Sequence, residues 1–203
     1  MLLKICRLLY EDLLPRASGE GARFANILKD EERMSAVFGA FVGNFYRREQ
    51  SEFSAGSELI SRDATAPEQE HTAYLPMMRT DVTLRFVAET VVIGTKYYRK
   101  TLSTHMRSEK IWSSHLYQIF AYLKNLERAG GNDARARGIL LYPTVGRALN
   151  VGYEIGGHLI SAVTVDLNED WPAIHQNLLN ILQPHSSSAD SPPKAAANVD
   201  RNL

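Results

Sequence analysis

The sequence predicts an α/β fold, a mixed sheet flanked by helices, on three observations. Apolar residues recur with helical spacing in some stretches and alternate with strand spacing in others, and the two kinds of stretch are interleaved along the chain. The strand-like runs are rich in β-branched and aromatic residues, as in Val91-Val92-Ile93. Third, 44% of the 203 residues are hydrophobic and 23% charged, an ordinary globular composition that excludes wholesale disorder or a collagen-like chain. A chain of this length holds one domain of roughly 100–200 residues.

The N-terminal stretch to about Leu14 reads as a helix through Leu2, Ile5, Leu8, Leu9 and Leu13, broken by Pro15 and Ser18-Gly19-Glu20-Gly21. A second helix starts near Asp30, whose carboxylate suits an N-cap. It carries an apolar stripe of Met34, Val37, Phe38, Phe41, Val42 and Phe45. Ser51 to about Thr72 is polar and small around Pro67, a loop or irregular strands. From Thr80 to Val87, Val82, Leu84 and Phe86 point one way, Asp81, Thr83 and Arg85 the other. Val91 to Tyr98 reads as the next strand, with Gly94 and Lys96 on one face.

A third helix runs from a Ser113 cap to Ala129 on the stripe Leu116, Ile119, Phe120, Leu123, Leu126, and stops at Gly130-Gly131. Strands follow over Arg137 to Tyr142, Val151 to Ile155 and Leu159 to Leu167, then a helix from Asn168 to Leu182. Residues 184–203 are rich in Ser, Pro, Ala and Asn and read as a disordered tail.

Twenty-three basic and 23 acidic residues cancel, which argues against a generic polyanion binder. Local clusters such as Arg47-Arg48 and Lys96 to Lys100 still leave room for a nucleic-acid enzyme, or are a solvated surface. The single cysteine, Cys6, has no disulfide partner, the pattern of a reducing compartment, so a cytoplasmic protein is expected. No signal-peptide pattern or membrane span is recognisable, and no P-loop occurs.

With a tight turn at Ala88-Glu89, counting back places Asp81 directly across from Lys96. An acid and a lysine on neighbouring strands suit a metal-dependent phosphodiesterase. Acids hold a divalent cation that polarises the phosphate, while the lysine orients the attacking water and steadies developing charge. The same two residues also suit a plain cross-strand ion pair.

The segments Tyr74-Leu75-Pro76-Met77-Met78-Arg79-Thr80-Asp81-Val82-Thr83-Leu84, Val91-Val92-Ile93-Gly94-Thr95-Lys96-Tyr97-Tyr98 and Ser114-His115-Leu116-Tyr117-Gln118-Ile119-Phe120-Ala121-Tyr122-Leu123 resemble the McrC family. These are nuclease subunits of McrBC modification-dependent restriction systems. The resemblance also takes in Asn44 to Glu49 and Gly138 to Pro143. It implies a restriction-endonuclease-like PD-(D/E)xK fold over residues 1–183. It also implies Mg²⁺-dependent cleavage of methylated DNA beside a McrB-like AAA+ partner that hydrolyses the GTP. By the same resemblance Asp81 is the first catalytic acid and metal ligand, Lys96 the catalytic lysine, and Gln118 the glutamine of the flanking helix. Arg47, Arg48, Arg99 and Lys100 are the candidate DNA contacts.

Where the family has Ile-Asp-x-Lys, this chain has Ile93-Gly94-Thr95-Lys96, so the second metal carboxylate is replaced by Gly94. Gly39 falls where the family often carries another acid, with Glu32, Glu49 and Glu109 the nearest substitutes. The family's N-terminal partner-binding region is expected to be largely absent. Two readings stay open: a nuclease subunit, or a catalytically silent DNA-binding or regulatory remnant. His71, His105, His158, His175 and His185 lack ligand spacing, and only His115, one turn before Gln118, is placed to face the site. Tyr97, Tyr98, Trp112, Tyr117 and Tyr122 read as packing before base stacking.

Overall fold

The computed structural model describes residues 31–49, 52–97, 103–105 and 108–183. The expected N-terminal helix, the Asp30 cap, Arg99, Lys100 and the tail from 184 lie outside the described residues. Within them, helix α1 (Glu31–Glu49) precedes short strands β1 (Ser54–Gly56) and β2 (Leu59–Ile60), β3 (Met78–Arg79), and the hairpin β4 (Val82–Arg85) and β5 (Thr90–Thr95). A small ribbon, β6 (Ser103–His105) and β7 (Ser108–Lys110), leads into α2 (Ser113–Leu126). Strands β8 (Arg137–Pro143), β9 (Asn150–Ile155) and β10 (His158–Val165) and helix α3 (Trp171–Asn180) complete the order.

Six strands form one mixed sheet in the order β1-β4-β5-β8-β10-β9. The β5/β8 and β8/β10 pairs are parallel and the others antiparallel. The expected mixed α/β architecture is therefore present, with three helices among the described residues.

Strand alternation splits the core in two. On one face Phe38, Val42, Phe45 and Tyr46 of α1 meet Val82, Leu84, Val91, Ile93, Ile139 and Leu141, with Ile174 and Leu178 of α3. On the other face Ile119, Leu123 and Leu126 of α2 cover Val92, Leu140, Ile160 and Ala162. Because α2 connects parallel β5 to parallel β8, it must cross over one face, and it closes that side of the sheet. Gly138 sets how closely it does so: a Cβ there would lie 2.8 Å from Ile119 Cγ1 and 3.0 Å from Leu123 Cδ1. No helix of the described residues is long and apolar enough to cross a membrane.

Two expectations need correction. Helix α2 has Trp112 as its N-cap, with no side-chain cap hydrogen bond, so Ser113 is its first residue. The β4–β5 register is Val82↔Ile93 through Arg85↔Thr90, with the Phe86 N–H donating to the Glu89 carbonyl at 3.0 Å. The turn is therefore Val87-Ala88, one residue earlier than expected, which slides the pairing by two. Asp81 continues the register opposite Gly94 instead of Lys96. The cause is tertiary: Arg137 Nε holds the Glu89 carboxylate at 2.9 Å, and Asn132 Nδ2 donates to the Val87 carbonyl at 3.0 Å.

Candidate functional site

Asp81 sits at the start of β4 because the residue before it is locked. The Thr80 N–H donates to the Glu58 carbonyl (2.9 Å), its Oγ1 accepts from the Glu58 N–H (2.9 Å), and its carbonyl accepts from Ser57 Oγ (2.6 Å). A buried threonine with its groups paired leaves Asp81 little freedom. The Asp81 Oδ2 atom accepts from the Thr95 backbone N–H at 2.8 Å and from Thr95 Oγ1 at 3.1 Å. Lys96 Nζ lies 3.6 Å from the same oxygen, with the lysine side chain 12% and the aspartate 35% exposed. The expected pairing of acid and lysine thus survives the register change, since a two-residue shift preserves the face.

Lys96 is anchored through its backbone N–H to the Leu141 carbonyl (2.9 Å), and its Nζ also donates to the Thr95 carbonyl (3.2 Å). Gly94 points to the same side. A Cβ built there would lie 3.8 Å from Lys96 Nζ, 3.5 Å from Leu140 Cδ2 and 3.7 Å from Ile119 Cδ1, all ordinary contacts. Gly39 of α1 faces the same strand end from the opposite side, where its Cβ would lie 3.0 Å from Thr95 Oγ1. The two glycines therefore flank the Asp81–Thr95 contact.

Helix α2 supplies the remaining wall. Tyr122 donates its hydroxyl to the Arg79 carbonyl at 2.8 Å, bridging helix and strand two residues before Asp81. Burial, then the Asp81 charge, raise its pKa, and Gln118 hydrogen-bonds it. Gln118 thus reaches the site through the tyrosine hydroxyl. Sequence reasoning had left Tyr122 to packing and passed over Thr95. The helical spacing of Gln118 and Tyr122 was the available signal for the first.

His115 is buried, with Nδ1 3.0 Å from the Tyr142 hydroxyl. Burial first, and the Lys96 charge second, push its pKa down from 6.5 to about 4. A depressed pKa means the unfolded chain takes up this proton first on acidification. Its contribution to stability is full above about pH 6.5 and is lost as the pH falls towards 4. The shift corresponds to at most about 3 kcal/mol. Wild type should therefore lose more stability between pH 7.5 and 4.5 than His115→Gln in urea unfolding, and equal losses would remove His115 from this role.

Other candidates lie elsewhere. Arg47 donates to Asn44 Oδ1 (2.7 Å) near the exposed end of α1. Arg47 and Arg48 lie eight and nine residues beyond Gly39, roughly 12 Å along a helix, so they are not brought to Asp81. Glu49 is still farther along and pairs with His175 Nε2 at 3.1 Å. It does not replace the lost acid. The side chains of Glu32 and Glu109 lie outside the described residues. His158 is held between the Ala136 carbonyl and Glu127, and His71 pairs with Glu68. Among the described residues no three His, Cys, Asp or Glu side chains come together. Tyr97 packs against Phe38 at 6.5 Å, not as an open platform.

A divalent cation such as Mg²⁺ takes oxygen ligands in near-octahedral geometry, commonly one or two carboxylates with waters. Here Asp81 offers one carboxylate, with an oxygen already engaged by Thr95 and Lys96. That donor set does not fit the cation. What it does fit is a self-neutralised ion pair.

A family model described as McrBC 5-methylcytosine restriction system component matches residues 1–143, a range that contains Asp81, Gly94, Lys96 and Gln118. The chain is also similar to the type IV methyl-directed restriction enzyme EcoKMcrBC of Escherichia coli (strain K12). Identity is 32% over 179 residues, covering 88% of this chain and 51% of that protein. The chain thus spans about half the length of that relative.

Proposed function

The chain belongs to the McrBC 5-methylcytosine restriction system component family, and from that premise we propose that it is the McrC-like, nuclease-fold subunit of a modification-dependent restriction system. In this proposal it engages methylated DNA beside a McrB-like AAA+ partner that supplies GTP hydrolysis. Its sheet is of the PD-(D/E)xK type, and its centre no longer cleaves.

The observation that carries the silent form is the Asp81 oxygen shared between Thr95 and Lys96, with Gly94 on the facing strand. In a two-carboxylate centre a cation would draw the aspartate away from the lysine. With one carboxylate, Lys96 is the only cation at hand and stays on Asp81. No step of hydrolysis is assigned to it. Lys96, Gln118 and Tyr122 instead form a polar wall that can hold a phosphate of the DNA backbone without activating water against it.

Calorimetric titration with Mg²⁺ and Mn²⁺, beside Asp81→Ala, tests this directly, together with nicking of methylated plasmid in the presence of a McrB-like partner and GTP. Neither protein should take up metal, and neither should nick. Metal uptake that vanishes in Asp81→Ala, or metal-dependent nicking that Lys96→Ala abolishes, would restore the active-nuclease reading.

A further inference from the structure

The ribbon β6–β7 interrupts the chain between the two halves of the candidate site. Lys96 directly follows β5, and Gln118 lies in the second turn of α2, so the ribbon's two ends both return to the Asp81–Lys96 centre. It forms its own two-stranded sheet, in which Ser103 pairs with Lys110, Thr104 with Glu109 and His105 with Ser108. It adds no strand to the main sheet.

Its charge is as distinctive as its position. The protein as a whole is neutral, yet the stretch from Lys96 to Lys110 carries Lys96, Arg99, Lys100, Arg107 and Lys110 against the single acid Glu109. The antiparallel register sorts these further, since directly opposed residues share a face. Ser103, Lys110, His105 and Ser108 fall on one face and Thr104 and Glu109 on the other. One face is therefore composed of hydroxyls, an ammonium and an imidazole, and the acid is on its reverse. Hydroxyl and basic side chains are the groups that bind phosphate oxygens along a nucleic-acid backbone. An antiparallel two-stranded ribbon is also an element that duplex DNA accommodates. A ribbon built to dock on protein would carry an apolar face, which this pairing does not provide.

We infer that the β6–β7 ribbon is a DNA arm, which lays its Ser103/His105/Ser108/Lys110 face along the sugar–phosphate backbone of duplex DNA beside the Asp81–Lys96 centre. The inference rests on the reading of the chain as a DNA-engaging subunit and deepens it, by naming the element that grips and the part of the duplex gripped. Affinity through this arm is sequence-independent and salt-sensitive, because each phosphate neutralised releases condensed counterions.

The test uses the full chain and a short fluorescein-labelled duplex, with anisotropy measured across a salt series. Arg107→Ser combined with Lys110→Ser should make the log–log salt dependence shallower by about two. It should also weaken binding roughly tenfold or more at 0.1 M salt. Arg135→Ser is the control. Arg135 ends the 3₁₀ turn beside Asp133, whose Oδ1 holds Thr90 at the far end of β5. That is roughly 20 Å from Lys96 at strand rise, and its salt slope should equal that of wild type. Should the double variant lose its urea midpoint, Lys110→Ser alone should still make the slope shallower by about one. Duplex binding with an unchanged slope in a folded ribbon variant overturns the arm and leaves the DNA reading standing. No duplex binding by wild type even at low salt overturns both, and tighter binding of single-stranded RNA than of duplex overturns the assignment to DNA.

Discussion

Gly138→Val lowers the stability of the protein by about 3 kcal/mol or more in urea unfolding, and Gly138→Ala by about 1–3 kcal/mol, the usual range for over-packing a tight core. The reason is the seat of α2. A Cβ at this position meets Ile119 Cγ1 at 2.8 Å and Leu123 Cδ1 at 3.0 Å. The backbone beneath cannot retreat, because Gly138 is paired on both sides, with Val92 of β5 and Ile160 of β10. The helix must lift, and with it Tyr122 loses its hold on the Arg79 carbonyl. Shortening the helix side of the contact should recover part of the loss, so Gly138→Ala with Ile119→Val is expected to be more stable than the sum of the two single changes. A Gly138→Ala midpoint equal to wild type would mean the helix–sheet contact is looser than these distances.

Gly94→Asp should give the chain a divalent-metal site. Residue 94 lies opposite Asp81 when the β4–β5 register is continued, and directly opposed Cβ atoms sit about 4.5–5.5 Å apart. Two carboxylates at that separation can share one cation. The added Cβ finds ordinary contacts, including Lys96 Nζ at 3.8 Å, so the substitution does not force the core open. Without metal the variant sets a second acid beside Asp81 with one lysine between them, and it is less stable than wild type. With Mn²⁺ it should bind in roughly the 0.1–1 mM range of weak carboxylate sites. It should then gain about 2.7 kcal/mol at a hundredfold excess over Kd. Adding Asp81→Ala should erase both the calorimetric signal and this gain. A folded Gly94→Asp protein that still takes up no metal would show that Gly94 is not the defect in the centre.

The legible part of the site was the part governed by local geometry. Alternation along Thr80 to Val87 and Val91 to Lys96 put Asp81, Gly94 and Lys96 on one face, and that survived even though the turn moved by one residue. The motif carrying Gln118 placed it on α2 facing the same region. What had no signature in the residues was any contact needing two distant elements at once. Thr95 takes the Asp81 carboxylate through its backbone N–H, Gly39 comes against Thr95 from α1, and Glu49 is drawn off to His175.

By itself, then, the sequence determined which segments are strands and helices, which way their side chains face, and which family motifs they carry. These follow from the period of the backbone and are properties of a few consecutive residues. Tertiary structure decided the register of the hairpin, the partner of Asp81 and the wall formed by Tyr122. The turn at Val87-Ala88 is set by Glu89 on Arg137 and by Asn132, residues more than forty positions away. Such contacts exist only once β5, β8 and the segment before β8 are packed together, and the free energy that selects them is that of the assembled core and not of the hairpin alone.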